Sequence, residues 1–393
     1  MANSMDFFSS GFREVIVPLY LYSSGLSAVT VGIYYTINYL VSTLLRTPFS
    51  MIADSYGKKP MIIAGMILYG LSGVVLSVPA TMFTAYLAGT VNGLSGGVTS
   101  SSISSTIAEK ASTPERRDHL FARSSSLTTL TTAFGALAAT VPAVLASEHM
   151  TTLLMGYRYL FMLQSGIAAI AVLTVLFGLS EEVHAKARTF REVFRLPRQS
   201  LPTVLRLSVQ GAVGLGAGIA LPLLPIWLSL RFHASLADIS LLYFVSRIAL
   251  GSSVLLAPRV SKIKGRVFTI SFSQFVSGVF FLLIPLSPNL LVAFILLIAR
   301  SVTSNFNDPI LRSFIANTVH PKERTTAFNL VQTVDSVPRS AGPYLGGTLI
   351  NASELAAPFY LAGALYCFFS ASFYFLFKKW SPSYADSSSQ GAG

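Results

Sequence analysis

Ten ionisable side chains stand inside stretches of the chain that are otherwise apolar: Asp6, Arg13, Glu14, Arg46, Arg247, Arg300, Asp308, Arg312, Asp335 and Arg339. A charge in hydrocarbon is expensive, so each should face a partner, water or a solute. Two kinds of chemistry follow: proton exchange at the carboxylates, and capture of a polar or anionic group by the arginines. Arg13 and Glu14 are the most suggestive pair. Adjacent helical residues point about 100° apart, so these two cannot easily satisfy only each other. One or both should reach another helix, cavity water or a solute. A structural ion pair from Glu14 to Arg46 or another arginine is the competing reading. Asp308 with Arg312, and Asp335 with Arg339, have the i,i+4 spacing, acid first, that lets a helix satisfy its own charges. Arg247 and Arg300 have no obvious local partner, which makes them the better candidates for a solute's anionic group; Arg13, Arg46 and Asp308 are further candidates for solute binding.

Other chemistries find no support. There is no metal-ligand spacing of histidines, no Ser/His/Asp constellation and no phosphate loop; all five histidines fall in loops or at the ends of apolar runs. The glycines Gly211, Gly214, Gly216 and Gly218 are no nucleotide fingerprint, because no strand precedes them. A non-enzyme without a cofactor is expected.

These charges need elements to hold them in a membrane. The chain is 52% hydrophobic and only 11% charged, against about 25% charged for a soluble globular protein. Twelve apolar runs are each close to the roughly 20 residues that a bilayer-crossing helix needs. They are expected at about 5–24, 28–51, 60–79, 82–107, 121–146, 157–179, 203–229, 236–257, 267–287, 290–316, 326–350 and 355–377. Spans 3, 6, 9 and 12 carry no charge away from their ends, so every third helix should face lipid while the rest surround something polar. Asp308-Pro309, after Asn305 and Asn307, marks a break in span 10. No cleavable signal peptide is expected, since the first span lacks a basic leader.

The second half repeats the first. Gly11 and Pro18 recur as Gly218 and Pro225, Ser27 and Gly57 as Ser235 and Gly265, and Pro114, Arg117, Phe121 and Gly135 as Pro321, Arg324, Phe328 and Gly342, always at an offset of 207 or 208. Two parallel six-span halves are one way carriers frame a solute site at mid-membrane. The expected fold is all-α and integral to the membrane, with two pseudo-symmetric six-helix bundles at 1–180 and 202–377. A polar linker at 181–201 and a Ser/Gly-rich tail at 378–393 complete it. The repeat sets Arg13 and Glu14 opposite Ala220 and Leu221, so packing alone does not account for a glutamate there.

The net charge of +12 is topological rather than a sign of nucleic-acid binding. With a cytoplasmic N-terminus, nineteen loop lysines and arginines, from Lys58 and Lys59 to Lys378 and Lys379, fall inside and only Arg158 and Arg231 outside. That places the protein in the cell membrane with both termini cytoplasmic. The single cysteine, Cys367, allows no intrachain disulfide.

After span 2 comes Ser50-Met-Ile-Ala-Asp54-Ser-Tyr-Gly57-Lys58-Lys59, with Ser261-Lys262-Ile-Lys264-Gly265-Arg266 as its counterpart. The first segment resembles the loop motif of the major facilitator superfamily, Gly-x-x-x-Asp-Arg-x-Gly-Arg-Lys. Ser50 and Ser55 stand where that motif has glycine and arginine, and the second copy has no aspartate. The resemblance extends over nearly the whole chain. It implies alternating access and a gating loop of Asp54, Gly57, Lys58, Lys59, Gly265 and Arg266, in which Asp54 meets the start of span 11 near Thr325 and Thr326. A plain topogenic turn is the alternative. Gly342-Pro343-Tyr-Leu-Gly346-Gly347 is similar to the superfamily's antiporter element but lies in span 11 rather than span 5, so antiport is not carried over and close helix packing is expected there.

Transport is therefore the functional expectation: a secondary carrier, acting as a monomer with a small organic solute, protons and membrane lipids as partners. Glu14 is the expected proton-coupling residue and Asp335 the runner-up. Sugar is disfavoured because Trp227 and Trp380 are the only tryptophans. Phe/Tyr-rich spans favour efflux of an amphipathic or drug-like compound, with uptake or exchange of a small organic anion as the alternative. A membrane enzyme, a receptor or a channel does not require the six-plus-six duplication.

Overall fold

The structure is a computed structural model that describes residues 2–109, 114–178, 199–254, 265–305, 307–320 and 323–379. Every described element is helical. The first half holds α1 (Ala2–Ser23), α2 (Ala28–Tyr56), α3 (Lys58–Ser77), α4 (Met82–Glu109), α5 (Pro114–Ala138), α6 (Val141–Ser147) and α7 (Leu153–Gly178). The second holds α8 (Leu201–Leu207), α9 (Gln210–Ala220), α10 (Leu224–Phe232), α11 (Leu236–Val254), α12 (Arg266–Leu283), α13 (Leu290–Asn305), α14 (Asp308–Thr318), α15 (Arg324–Asn351) and α16 (Ala357–Phe377). Each expected span has a helix or a run of short helices in its place. Spans 5, 7 and 10 are interrupted. One restart in each of these spans carries a proline in its first turn: Pro142 in α6, Pro225 in α10 and Pro309 in α14. Proline lacks the N–H that an interior turn would need and presets φ for a first turn. Among the described residues, eight helical segments are long and apolar enough to cross a membrane.

Several duplicated residues do the same structural work in both halves. Ser27 caps α2, its Oγ accepting from the Thr30 N–H at 3.2 Å. Ser235 caps α11, its Oγ accepting from the Asp238 N–H at 3.1 Å while the Asp238 carboxylate takes the Ser235 N–H at 2.9 Å. The second cap is thus the reciprocal capping box. Gly57 and Gly265, which precede α3 and α12, sit at φ 97°, ψ 152° and φ 82°, ψ 151°. L side chains avoid that region, so the loop needs glycine in each copy.

Helix crossings repeat as well. A Cβ on Gly11 would overlap the Thr132 carbonyl, and one on Gly135 the Phe8 carbonyl, so α1 and α5 touch backbone to backbone. At the equivalent crossing of α9 and α15, a Cβ on Gly218 would meet the Arg339 carbonyl and one on Gly342 the Gly218 backbone. In lipid there is no hydrophobic drive between helices, so dispersion at such close approaches is what holds them. The small residues of span 11 continue the pattern: Gly32 of α2 lies against Pro343, Gly347 lies against Ala28, and Thr36 Oγ1 accepts from the Tyr344 N–H at 3.2 Å.

The chain forms two compact units. One gathers Met1–Arg188, Leu221–Ile248 and Pro343–Leu355; the other gathers Thr189–Ala220, Ala249–Gly342 and Ala356–Gly393. The first unit centres on an aromatic and aliphatic core at Phe12, Tyr20, Tyr157 and Phe161, with Tyr20 edge-on to both Tyr157 and Phe161. The second centres on Phe314, Phe369, Phe373 and Phe377. The charge-free spans present outward apolar faces, as at Ile67 and Leu71 of α3, Ile170 and Phe177 of α7, Phe272 of α12, and Phe368 and Phe375 of α16.

Candidate functional site

The polar interior of the first unit is organised by Arg13. Its guanidinium donates through Nη1 to Ser72 Oγ at 2.9 Å and Gln164 Oε1 at 3.0 Å, and through Nη2 to the Tyr34 hydroxyl at 2.7 Å. The ring of Tyr69 lies 5.7 Å from its centre, a cation–π distance. Four helices converge: α1 supplies the charge, α2 Tyr34, α3 Ser72 and Tyr69, and α7 Gln164. The amide is fixed in turn, its Nε2 donating to the Tyr69 carbonyl at 2.9 Å. Arg13 is only 7% exposed and all these partners are neutral. It is an internal tie of the bundle, and solute has no direct access to it in this conformation.

Glu14, one residue later, is turned away from this interior as the helical 100° step requires. It accepts from Arg247 Nη2 of α11 through both oxygens, at 2.6 and 2.5 Å. The two side chains remain open, Arg247 at 32% and Glu14 at 37%. Arg247, for which the sequence offers no local partner, thus has a distant one, 233 residues away and beyond any local-spacing argument. Of the arginines considered as ion-pair partners of Glu14, Arg247 is the one in contact with it. Arg46 stands exposed on α2. Tyr243 and Phe244 precede Arg247 by four and three residues on α11 and so share its face of the helix. Tyr243, one turn before Arg247, is within electrostatic range of Arg247 and of Tyr35. Tyr35 packs 6.0 Å from Tyr39, and Phe134 5.7 Å from Phe244.

In the second unit, Asp335 and Arg339 form the expected i,i+4 pair, with Arg339 Nε and Nη2 donating to Asp335 Oδ2 at 3.0 and 2.9 Å. Gln210 Nε2 approaches the other oxygen at 3.4 Å. Arg300 is 6% exposed with its guanidinium 4.8 Å from the Phe281 ring centre, so it too is held inside its bundle. Arg312 lies 5.1 Å over Phe328. The side chain of Asp308 lies outside the described residues.

Of the loop motif, Lys58 is buried and Lys59 Nζ donates to the Leu176 carbonyl at 2.9 Å. Arg266 opens α12 directly after Gly265. The side chains of Asp54 and Thr325, and the segment with Lys262 and Lys264, lie outside the described residues. Within the second unit, Glu323 accepts from the Ser200 N–H at 2.8 Å and the Gln199 N–H at 3.3 Å, while Ser200 Oγ accepts from the His320 N–H at 3.0 Å. Slight desolvation works against ionisation of Glu323. The Ser200 and Gln199 hydrogen bonds and the nearby His320 outweigh it and hold the carboxyl below its ordinary value.

Sorting by charge alone missed Tyr34, Tyr35, Tyr69, Ser72, Gln164 and Tyr243. A signal existed: Gln164 is an amide within an otherwise apolar run, and Tyr34-Tyr35 with Tyr39 mark one stretch of span 2. Hydroxyls and amides are neutral, so a search for ionisable residues passes over them.

The sequence pattern of the Major Facilitator Superfamily matches residues 1–210 and again residues 206–392, one match per repeat half. A protein of Saccharomyces cerevisiae described as "Uncharacterized membrane protein YJR124C" is 20% identical, over 91% of this chain and 88% of its own length. Among solved structures, a mutant of the nucleoside transporter NupG superposes with a TM-score of 0.79 at 14% identity, covering 96% of this chain and 98% of that one. A bacterial homolog of the human lysosomal transporter Spinster, inward-facing and occupied, gives 0.73 at 16%, with 97% of each chain covered. The human organic anion transporter MFSD10 gives 0.63 at 17%, covering 95% of this chain and 97% of that one. At these identities the likeness concerns the fold.

Proposed function

The chain belongs to the Major Facilitator Superfamily, and on that premise we propose that it carries a small organic solute across the cell membrane by alternating access of its repeat halves, 1–180 and 202–377, driven by protons. The observation that carries this reading is the Glu14–Arg247 pair. It joins span 1 to span 8, and each partner keeps an open face. A proton on Glu14 removes the negative partner and frees Arg247; loss of the proton restores the pair. Protonation thereby changes which contacts hold these helices together, which is what coupling a proton to a conformational change requires. Asp335 is the weaker candidate because Arg339 on its own helix already satisfies it.

The direction we favour is export of an amphipathic compound, supported by the phenylalanines and tyrosines in the spans, such as Tyr35 with Tyr39 and Phe134 with Phe244. Carriage of a small organic anion is the second reading. It would need Arg247 to leave Glu14, and Arg13 and Arg300 are enclosed in their bundles. Gating at the loop of Asp54, Gly57, Lys58 and Lys59, with Gly265 and Arg266 in the second copy, belongs to the same proposal. So do cytoplasmic termini and a monomeric carrier.

The test is flux in proteoliposomes with a pH gradient of either sign. Gradient-driven accumulation or extrusion of an amphipathic fluorescent compound, abolished by a protonophore, is expected. Single-channel currents under voltage clamp would overturn the carrier reading. Flux unaffected by the protonophore would overturn the coupling.

A further inference from the structure

We infer that the open face of the Glu14–Arg247 pair takes a dipolar aromatic solute: one with a hydrogen-bond donor or ammonium for Glu14, an acceptor or carboxylate for Arg247, and a ring for the surrounding aromatic side chains. This rests on the transport reading of the same site. It adds a restriction on charge that transport alone does not impose.

Charge balance at the pair is the first argument. Glu14 and Arg247 neutralise each other through two contacts, and each is about a third exposed. A lone anion binding Arg247 would displace Glu14 and leave two negative groups facing one arginine. A lone cation at Glu14 would leave the reverse. Either case forfeits the existing pair and leaves one charged group poorly compensated in a low-dielectric setting. A solute with both ends replaces each lost contact with an equivalent one, so the exchange is nearly balanced. Arg13 does not upset this balance: it is turned about 100° into the bundle, 7% exposed and hydrogen-bonded to Ser72, Gln164 and Tyr34.

The aromatic border is the second argument. Tyr243 and Phe244 lie one turn before Arg247 on the same face of α11, Phe134 packs on Phe244, and Tyr35 of α2 packs on Tyr39. Ring faces of this kind favour a planar partner in offset or edge-on contact.

The experiment is thermal-shift binding to the purified full-length protein, in detergent and without any gradient. The panel is a set of aromatic compounds balanced between zwitterions, neutral donor–acceptor molecules, monoanions and monocations, with aliphatic zwitterions as controls. It includes the matched set phenylalanine, 3-phenylpropionate and 2-phenylethylamine. Stabilising compounds are expected among dipolar aromatics. Their affinity is expected to fall about tenfold or more in both Glu14→Gln and Arg247→Gln. Removing a ligand's donor end should abolish its sensitivity to Glu14→Gln but not to Arg247→Gln. Hits concentrated among monoanions that tighten in Glu14→Gln, hits shared equally by the aliphatic controls, or no hits at all would overturn the assignment. Because binding is read without flux, a wrong ligand class here leaves proton-driven transport to be judged separately.

Discussion

Arg13 shows what a charge does when a membrane helix places it inside a bundle. An arginine facing lipid at mid-membrane costs about 3 kcal/mol or more, so its guanidinium recruits acceptors from three other helices. Gln164 is the acceptor with least freedom, held at both ends and fully buried. Gln164→Leu should therefore lower stability by about 1–3 kcal/mol, the penalty for leaving buried donors unmet, read as a lower midpoint in thermal unfolding in detergent. An unchanged midpoint would mean that the network is dispensable. Glu323 offers a test with a definite sign. Its carboxyl is held below the ordinary value of 4.5, so the stability it contributes is present above that pH and lost as pH falls through the lowered value. Glu323→Gln should be slightly less stable than wild type at neutral pH, with the difference closing as acidification passes below 4.5 and through the lowered value. A gap that widens in acid would contradict the assignment. At this scale the sequence was partly readable. Asp335–Arg339 followed from i,i+4 spacing, whereas Glu14–Arg247 depends on how two distant helices are rotated, which no local pattern records.

Elements were more legible than partners, because their signals are local. Breaks at Pro225 and Pro309, caps at Ser27 and Ser235, and positive φ at Gly57 and Gly265 all follow from backbone chemistry within a few residues. The recurrence of Gly11 and Gly135 as Gly218 and Gly342 could be read as a repeat but not as a contact. That each pair is one helix crossing emerges only when the helices are packed. Gly135→Ala and Gly342→Ala should each destabilise by about 1–3 kcal/mol, since backbone atoms occupy the space a methyl would need. Gly166→Ala, where no atom lies within 4 Å of the added carbon, should be tolerated. Equal thermal midpoints for all three variants would show that the close crossings do not limit stability.

For the whole molecule, duplication is the organising fact: the superfamily pattern matches once per half, and equivalent residues cap, bend and cross helices in both. Glu14 breaks this symmetry, as does Arg13 beside it: their repeat counterparts are Leu221 and Ala220. A glutamate in span 1 is paired with an arginine in span 8, and the proposal of a proton-driven carrier rests on protonation of Glu14 opening that contact. The most direct measurement compares wild type and Glu14→Gln in proteoliposomes, reading pH-gradient-driven transport and gradient-free solute exchange side by side. The account predicts that the variant loses gradient-driven transport while retaining exchange. Gradient-driven transport at the wild-type rate in Glu14→Gln would contradict it.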